Sequence, residues 1–253
     1  MPHFFATLAD VDGDLITLRG DNAHHIAFAL RMAAGEHITV SCGTRILDCE
    51  LTSFSPDKSR PWVEARICGE HPMDTEPPYR AVLYQALPKG DKLDTIIQKA
   101  VECGASAVIP FESSRCVVRV KPEAEERKTE RRRRISEEAA KQCGRGIIPE
   151  VYPTLSYEAM LQQAAKADLV LFCYEAEGTV SLRSLLTEKM PAVSCETPPT
   201  IAVIVGSEGG FSPEEADAAR NLDFCMVGLG KRILRCETAP PFVLACLSYQ
   251  FEL

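Results

Sequence analysis

The chain has 253 residues, enough for one large or two ordinary domains, and its 45% apolar and 25% charged residues exclude a largely disordered protein. Its formal net charge of -8 argues against a generally basic nucleic-acid binder, and no window approaches the roughly 18 uncharged apolar residues of a membrane span. The eleven cysteines are odd in number and irregular in spacing, with no C-x-x-C pair, so thiols in a reducing compartment are expected rather than a disulfide framework or a zinc site.

Residues 1–72 read as a small, mostly β unit. The segment Met1-Pro2-His3-Phe4-Phe5 lacks the basic stretch and apolar run of a signal peptide, and a cytoplasmic location is expected. Short alternating or β-branched runs at 14–18, 37–42, 45–54 and 62–68 predict strands, with turns at Cys42-Gly43-Thr44 and Ser55-Pro56-Asp57 between them. Asp21 opens a predicted helix with Ile26, Ala29, Leu30 and Ala33 on one face, stopped by Gly35. The expected shape is a barrel with one helix. His24 and His25 are adjacent, so on a helix they point about 100 degrees apart; a packing or RNA-facing role is expected for at least one of them, and no metal. His71-Pro72 and Glu76-Pro77-Pro78 then suit a stiff linker.

From residue 73 to 253 strands alternate with helices, the pattern of an α/β domain with a mostly parallel sheet. Strands are predicted at 81–87, 107–110, 147–151, 169–173, 201–205 and 224–229, and helices at 91–103, 122–143 and roughly 156–166, 212–221 and 238–251. In the first of these helices Leu93, Ile96, Ile97, Ala100 and Val101 share one face, with Gly104 as terminator. Between Arg115 and Arg145 basic residues concentrate, with glutamates interleaved. That stretch is either a phosphate-binding surface or a solvated, ion-paired helix; Arg131 to Arg134 point round all sides and cannot all pair.

Two segments carry candidate chemistry. In the first, the apolar run ending at Val205 empties into Gly206-Ser207-Glu208-Gly209-Gly210, and Ser212-Pro213-Glu214-Glu215 then starts a helix as a capping box. A strand, a glycine turn and a helix N-terminus make a ligand site at the carboxyl edge of a sheet, or else a tight turn with no ligand. A P-loop and a G-x-G-x-x-G fingerprint are both absent, and Glu208 would repel phosphate, so a ligand with a cationic centre and an adenosine fits better. In the second, Gly228-Leu229-Gly230 ends a strand and leads through Lys231-Arg232-Ile233-Leu234-Arg235 to Glu237-Thr238 at the start of the last helix. Parallel strands put both loops on one edge, where they can face a common pocket. Arg235 can hold an RNA phosphate or stabilise charge on a base carbonyl, or else pair with Glu237 or Glu208. Glu237 is a second catalytic candidate or a helix N-terminal carboxylate.

Gly206-Ser-Glu-Gly-Gly-Phe-Ser-Pro-Glu-Glu215 and Leu229-Gly-Lys-Arg-Ile-Leu-Arg-Cys-Glu-Thr-Ala239 resemble the RsmE family of SPOUT methyltransferases. The resemblance continues in Ala86-Leu-Pro-Lys-Gly-Asp91, Ile97-Gln-Lys-Ala-Val-Glu-Cys-Gly104, Ala139-Ala-Lys-Gln-Cys-Gly-Arg145, and His24-His25 with Leu30-Arg31 and Gly35, so it covers nearly the whole chain. It implies a PUA-like β-barrel over 1–72 and a SPOUT domain with a deep trefoil knot over 73–253. It also implies S-adenosylmethionine as cofactor, a homodimer, and methylation of N3 of a decoding-site uridine in the 16S ribosomal RNA of the assembled small subunit. The competing readings are a SPOUT enzyme with another RNA target and a non-catalytic RNA-binding or ribosome-assembly factor.

On this reading Val205, Gly206, Ser207, Glu208, Gly209, Gly210, Leu229, Gly230, Ile233, Leu234, Arg235 and Thr238 hold the cofactor. Arg31, Lys89, Arg131, Arg134 and Arg145 are expected to bind RNA. Arg235 is the first candidate to favour the N3 anion of uracil, and the backbone N–H groups of the 206–210 turn are the second. The chain departs from the family at Ser207 and Lys231, where prolines are usual, and at His3, where an arginine is common near the N-terminus. No essential role is therefore carried onto His3. Pro240-Pro241 is tolerable only in the first turn of the last helix.

Overall fold

The computed structural model describes residues 1–57, 59–188 and 197–253. It divides into two compact units, Met1–Glu76 with Ala140–Ile147, and Pro77–Ala139 with Ile148–Leu253. The boundary at Glu76 falls inside the proline-rich stretch, whereas the return of 140–147 to the first unit carries no mark in the sequence.

The first unit contains β1 (His3–Ala6), β2 (Val11–Asp12), β3 (Leu15–Arg19), α1 (Gly20–His24), β4 (His37–Cys42), β5 (Arg45–Phe54) and β6 (Trp62–Pro72). They form one six-stranded sheet in the order β1-β4-β5-β6-β3-β2. Only β1 and β4 pair in parallel, and the rest are antiparallel. Alternation along the strands sends Phe4, Ile16, Leu18, Ile38, Val40, Leu51 and Val63 inward, each buried. A fully buried side chain of this kind stabilises by about 1.5–3 kcal/mol.

The helix expected from Asp21 differs. α1 ends at His24 and a π-helical turn covers His25–Ala29, with the Leu30 N–H bonded to the His25 carbonyl and Arg31 at φ 55°. Beyond Ala29 the chain is no longer helical, so Leu30 and Ala33 never share a helix face with Ile26; Ile26 is buried while Ala29, Leu30 and Ala33 are exposed. The histidines pack: His24 lies 5.0 Å from the Phe28 ring and His25 meets Phe4 edge-on at 5.9 Å. His3 bonds Thr39 Oγ1 at 2.8 Å and Ser41 Oγ at 3.0 Å, and burial pushes its pKa down.

The second unit runs β7 (Arg80–Ala86), α2 (Lys92–Glu102), β8 (Ala105–Glu112), α3 (Pro122–Cys143, whose residues from Ala140 belong to the first unit), β9 (Glu150–Val151), β10 (Leu155–Ser156), α4 (Tyr157–Ala164) and β11 (Leu169–Cys173). It continues through β12 (Val180–Ser181), α5 (Leu182–Glu188), β13 (Thr200–Val205), α6 (Pro213–Arg220), β14 (Cys225–Gly228) and α7 (Ala239–Phe251). The strand order is β10-β8-β7-β13-β11-β14-β12, with β9 also on β8. Every pairing is parallel. This is an α/β fold with a parallel sheet. β13 is central, and Ile201 to Val205 are all buried, which is why they read as an unbroken apolar run.

Of the strand expected at 147–151 only Glu150–Val151 forms. Pro149 has no N–H for a ladder, and the Ile147 N–H donates to Glu76. Pro240 and Pro241 occupy the first turn of α7, where an N–H has no helical partner to lose. No helix of the described residues is long and apolar enough to cross a membrane.

Candidate functional site

Because the strands are parallel, β11, β13 and β14 present their carboxyl ends on one edge of the sheet, side by side. The turn after β13 is closed by the Gly210 N–H donating to the Ser207 carbonyl at 3.0 Å, with Gly210 at φ 64°, a conformation that disfavours a side chain. Gln85, fully buried on β7, donates from Nε2 to the Gly206 carbonyl at 3.1 Å and the Ala86 carbonyl at 2.9 Å.

The capping box forms as the sequence predicts. Ser212 Oγ accepts from the Glu215 N–H at 3.2 Å, and Glu215 Oε2 accepts from the Ser212 N–H at 2.9 Å. Glu215 Oε1 also accepts from the Ser114 N–H at 2.6 Å, and the Tyr157 hydroxyl donates to the Glu215 carbonyl at 2.7 Å. This one carboxylate therefore ties the start of α6 to the segment after β8. Phe211, buried, packs 4.3 Å from Phe172 on β11 and anchors the turn from below.

The three loops enclose a cavity of about 350 Å³, within the range usual for small-molecule sites. Its walls are 173–176 and Thr179 after β11, 205–207 with Gly210 and Phe211 after β13, and 228–234 after β14. Ser207 Oγ and Gln85 Oε1 are buried with no hydrogen-bond partner among the described residues, and of these two residues Ser207 lines the cavity. The backbone is also drawn in so tightly that a Cβ on Gly228 would lie 2.9 Å from Thr179 Oγ1. A second cavity of about 270 Å³ adjoins the first and is lined by Lys92, Glu208, Arg235 and Glu237.

A family model described as an RNA methyltransferase domain matches residues 75–248. Ribosomal RNA small subunit methyltransferase E of Bacillus subtilis is 35% identical over 94% of this chain and 91% of its own length. The chain belongs to the ribosomal RNA small subunit methyltransferase E family.

Solved structures of methyltransferases agree with that membership. Ribosomal RNA small subunit methyltransferase E from Neisseria gonorrhoeae bound to S-adenosyl methionine is 30% identical, covering 99% of this chain and 98% of that one, with a TM-score of 0.81. A methyltransferase from Legionella pneumophila in complex with the bound cofactor SAM is 28% identical, covering 98% of this chain and 96% of that one, with a TM-score of 0.83.

Among the residues that the family resemblance singles out, Val205, Gly206, Ser207, Gly210, Leu229, Gly230, Ile233 and Leu234 line the first cavity. Glu208, Arg235 and Glu237 line the second. Gly209 and Thr238 line neither: the Gly209 carbonyl accepts from Arg115 Nη1 at 2.9 Å, and the Thr238 N–H donates to the Arg235 carbonyl at 2.8 Å. The β11 loop, with Glu175 and Thr179, escaped sequence reading, as did Arg115 and Lys92. The signal available for the loop was that a buried parallel strand ending at Cys173 shares its edge with the two glycine loops.

Arg235 is exposed and its guanidinium has no partner among the described residues. Its expected partners are taken by another cation. Glu208 Oε1 lies 2.9 Å and Glu237 Oε2 3.3 Å from Lys92 Nζ. Burial pulls the Glu208 carboxyl upward, but the Lys92 ammonium and backbone N–H groups outweigh it and hold it below the usual carboxylate range. The Cys236 thiol, donating to Glu237 at 3.2 Å, is pushed up to about 12, first by burial, so it stays protonated.

The arginine-rich helix is ion-paired. Arg131 reaches Asp94 at 2.6 Å, buried Arg132 lies 3.6 Å from Glu125, Arg133 meets Glu150 at 3.0 Å and Arg134 meets Glu130 at 3.3 Å. All four arginines therefore pair, contrary to expectation, because tertiary structure brings Asp94 and Glu150 to faces that the helix leaves bare. Arg145 is 5% exposed and bonded to Glu76, so it is not available to a phosphate. Arg31 and Lys89 have exposed side chains.

Proposed function

We propose that this protein transfers a methyl group from S-adenosylmethionine to N3 of a decoding-site uridine in 16S ribosomal RNA, acting on the assembled small subunit. The observation that carries the proposal is the closure of three strand-end loops on one cavity, with Ser207 in its wall. The cofactor fits these residues: close-packed backbone at Gly206 and Gly228 admits a flat adenosyl group, and apolar Val205, Leu229 and Leu234 receive its faces. Gly206, Ser207, Gly210, Gly230 and Ile233 complete the binding set.

When bound, S-adenosylmethionine supplies an activated methyl group whose sulfonium makes a neutral leaving group. The chain's own work is to favour the N3 anion of uracil and hold it in line. Arg235 carries a permanent positive charge, unneutralised by any described neighbour, into the adjoining cavity, where it stabilises charge developing on a base carbonyl. Glu237, held by Lys92 and Cys236, serves as a structural carboxylate of the loop.

The reading extends to a SPOUT domain with a trefoil knot, supported by β13 lying between β7 and β11 although it follows both in the chain. The six-stranded unit would act as a PUA-like barrel that clamps RNA. A cytoplasmic homodimer is part of the same reading, supported by the exposed Phe242 and Tyr249 on α7. Its expected mass, twice that of one chain, is checked by sedimentation at micromolar concentration.

RNA contacts are assigned to Arg31 and Lys89, with Arg131 and Arg134 exchanging surface carboxylates, worth about 0–1 kcal/mol each, for phosphates. Four such contacts predict that affinity for small subunits falls on the order of a hundredfold between about 50 and 200 mM salt. A flat response in a filter-binding titration contradicts the assignment. The function itself is tested by incubating the protein with labelled cofactor and purified small subunits and mapping the product by mass spectrometry. Label at N3 of one decoding-site uridine is expected, and cofactor binding with no transferred label would leave an RNA-binding factor instead.

A further inference from the structure

Lys92 stands at the first residue of α2, and its ammonium reaches two loops that are distant in sequence. It lies 2.9 Å from Glu208 in the turn after β13 and 3.3 Å from Glu237 at the entry to α7. All three side chains are about a quarter to a third exposed, so the charges are neither freely solvated nor fully withdrawn from water. Glu208 is held further by the Lys89 N–H at 3.1 Å, and Glu237 by the Cys236 thiol at 3.2 Å. Arg235, two residues before Glu237, lines the same cavity and has no ion pair among the described residues. This cavity shares Glu175, Ser207, Gly210, Ile233, Leu234 and Cys236 with the three-loop cavity, so a base seated in it would lie against a cofactor in the other.

An arginine beside two carboxylates normally pairs with one of them. Here a lysine from a different element engages both carboxylates, and the arginine is left over.

We propose that Lys92 is a positioning residue for methyl transfer: by bridging Glu208 and Glu237 it joins the two loops and keeps Arg235 unpaired, facing the acceptor base. The inference rests on the methyltransferase reading above. Without Lys92, two carboxylates that each lie within 3.3 Å of one nitrogen would face each other with Arg235 as the remaining cation of the cavity. Electrostatics then draws Arg235 onto them and away from the base. Like charge also raises the pKa of one of the pair. Glu208, Glu237 and Cys236 act on Lys92, and Glu175 and Arg235 are the other charged groups lining the same cavity. In Lys92→Met, increasing pH ionises the second carboxylate and strengthens the capture of Arg235, so activity relative to the unsubstituted enzyme falls as pH rises.

The test compares the full-length protein with Lys92→Met, Lys92→Arg and the triple variant Lys92→Met/Glu208→Gln/Glu237→Gln, using single-turnover methylation of purified small subunits across pH and calorimetry with S-adenosylmethionine. The expected result is that Lys92→Met is roughly ten- to a hundredfold slower with cofactor affinity changed only a few-fold, and that Lys92→Arg stays close to the unsubstituted enzyme. Removing both competing carboxylates in the triple variant should restore much of the lost rate, a non-additivity that loss of packing alone does not produce. The inference is overturned if Lys92→Met matches the unsubstituted enzyme at every pH, or if the triple variant is folded and as slow as the single one. If the unsubstituted protein transfers no methyl group, the functional reading fails separately. Carbon-detected NMR titration of the cofactor-free protein then still tests the clamp: one of the two carboxylates should titrate higher in Lys92→Met, and unchanged titration refutes the bridge.

Discussion

Arg235→Ala is expected to lower kcat for small-subunit methylation by about 10²–10³-fold, the loss typical of removing one preorganised group that stabilises developing charge. On the proposed function the acceptor is uracil N3, which has a usable lone pair only once its proton has left, so a nearby cation would act on the step that limits the nucleophile. Arg235 suits this role because the nearby carboxylates are engaged by Lys92, which leaves its full charge for the substrate. The substitution is also clean. The side chain is exposed and unpaired, so folding stability should change by less than about 0.5 kcal/mol. The Arg235 carbonyl, which accepts the Thr238 N–H at 2.8 Å and the Ala239 N–H at 3.0 Å, remains in alanine, so the start of α7 is kept. Single-turnover rates and calorimetry with cofactor separate the effects: a normal kcat removes Arg235 from the chemistry, and a large loss confined to cofactor affinity moves it to the binding set.

Gly206→Ala should weaken cofactor binding by about tenfold or more while leaving the fold intact. The added Cβ would lie 3.1 Å from Gly210 Cα, 3.2 Å from its carbonyl carbon and 3.2 Å from Phe211 Cε2. None of these neighbours can yield alone. Gly210 closes the turn through its bond to Ser207, and Phe211 is wedged against Phe172. The turn itself must open, and overpacking of this kind costs about 1–3 kcal/mol. Because the same backbone forms the cavity wall, that cost falls on the bound state, and about 1.4 kcal/mol is a tenfold change in affinity. Isothermal titration with S-adenosylmethionine, beside a thermal melt, decides the matter. Unchanged affinity would mean that the turn does not touch the ligand.

Much of the second unit was legible in the sequence because its elements are stabilised by local rules. The apolar face of α2, the unbroken apolar run of β13 and the Ser212–Glu215 cap each follow from periodicity or from hydrogen bonds only three residues apart. The two glycine loops were legible for a related reason: a positive φ at Gly210 or a close backbone approach at Gly206 excludes most other residues. The β11 loop was not, since Glu175 and Thr179 become site residues only through the strand beside them. The helix expected over residues 21–33 failed because it ends with a wider turn at His25–Ala29 and the chain leaves at Arg31 with a positive φ, which composition does not encode.

By itself, then, the sequence determined the element types of the α/β unit, the two glycine loops that line the cavity, and membership of a methyltransferase family through the residues of those loops. Only the tertiary structure decided which charges are available. Arg145 is spent on Glu76, Arg131 to Arg134 find carboxylates from other elements, and Lys92 takes both partners of Arg235. The reason is physical: backbone preferences act over a few residues, whereas a charge pairs with whatever opposite charge the fold brings within about 4 Å, however far away it lies along the chain.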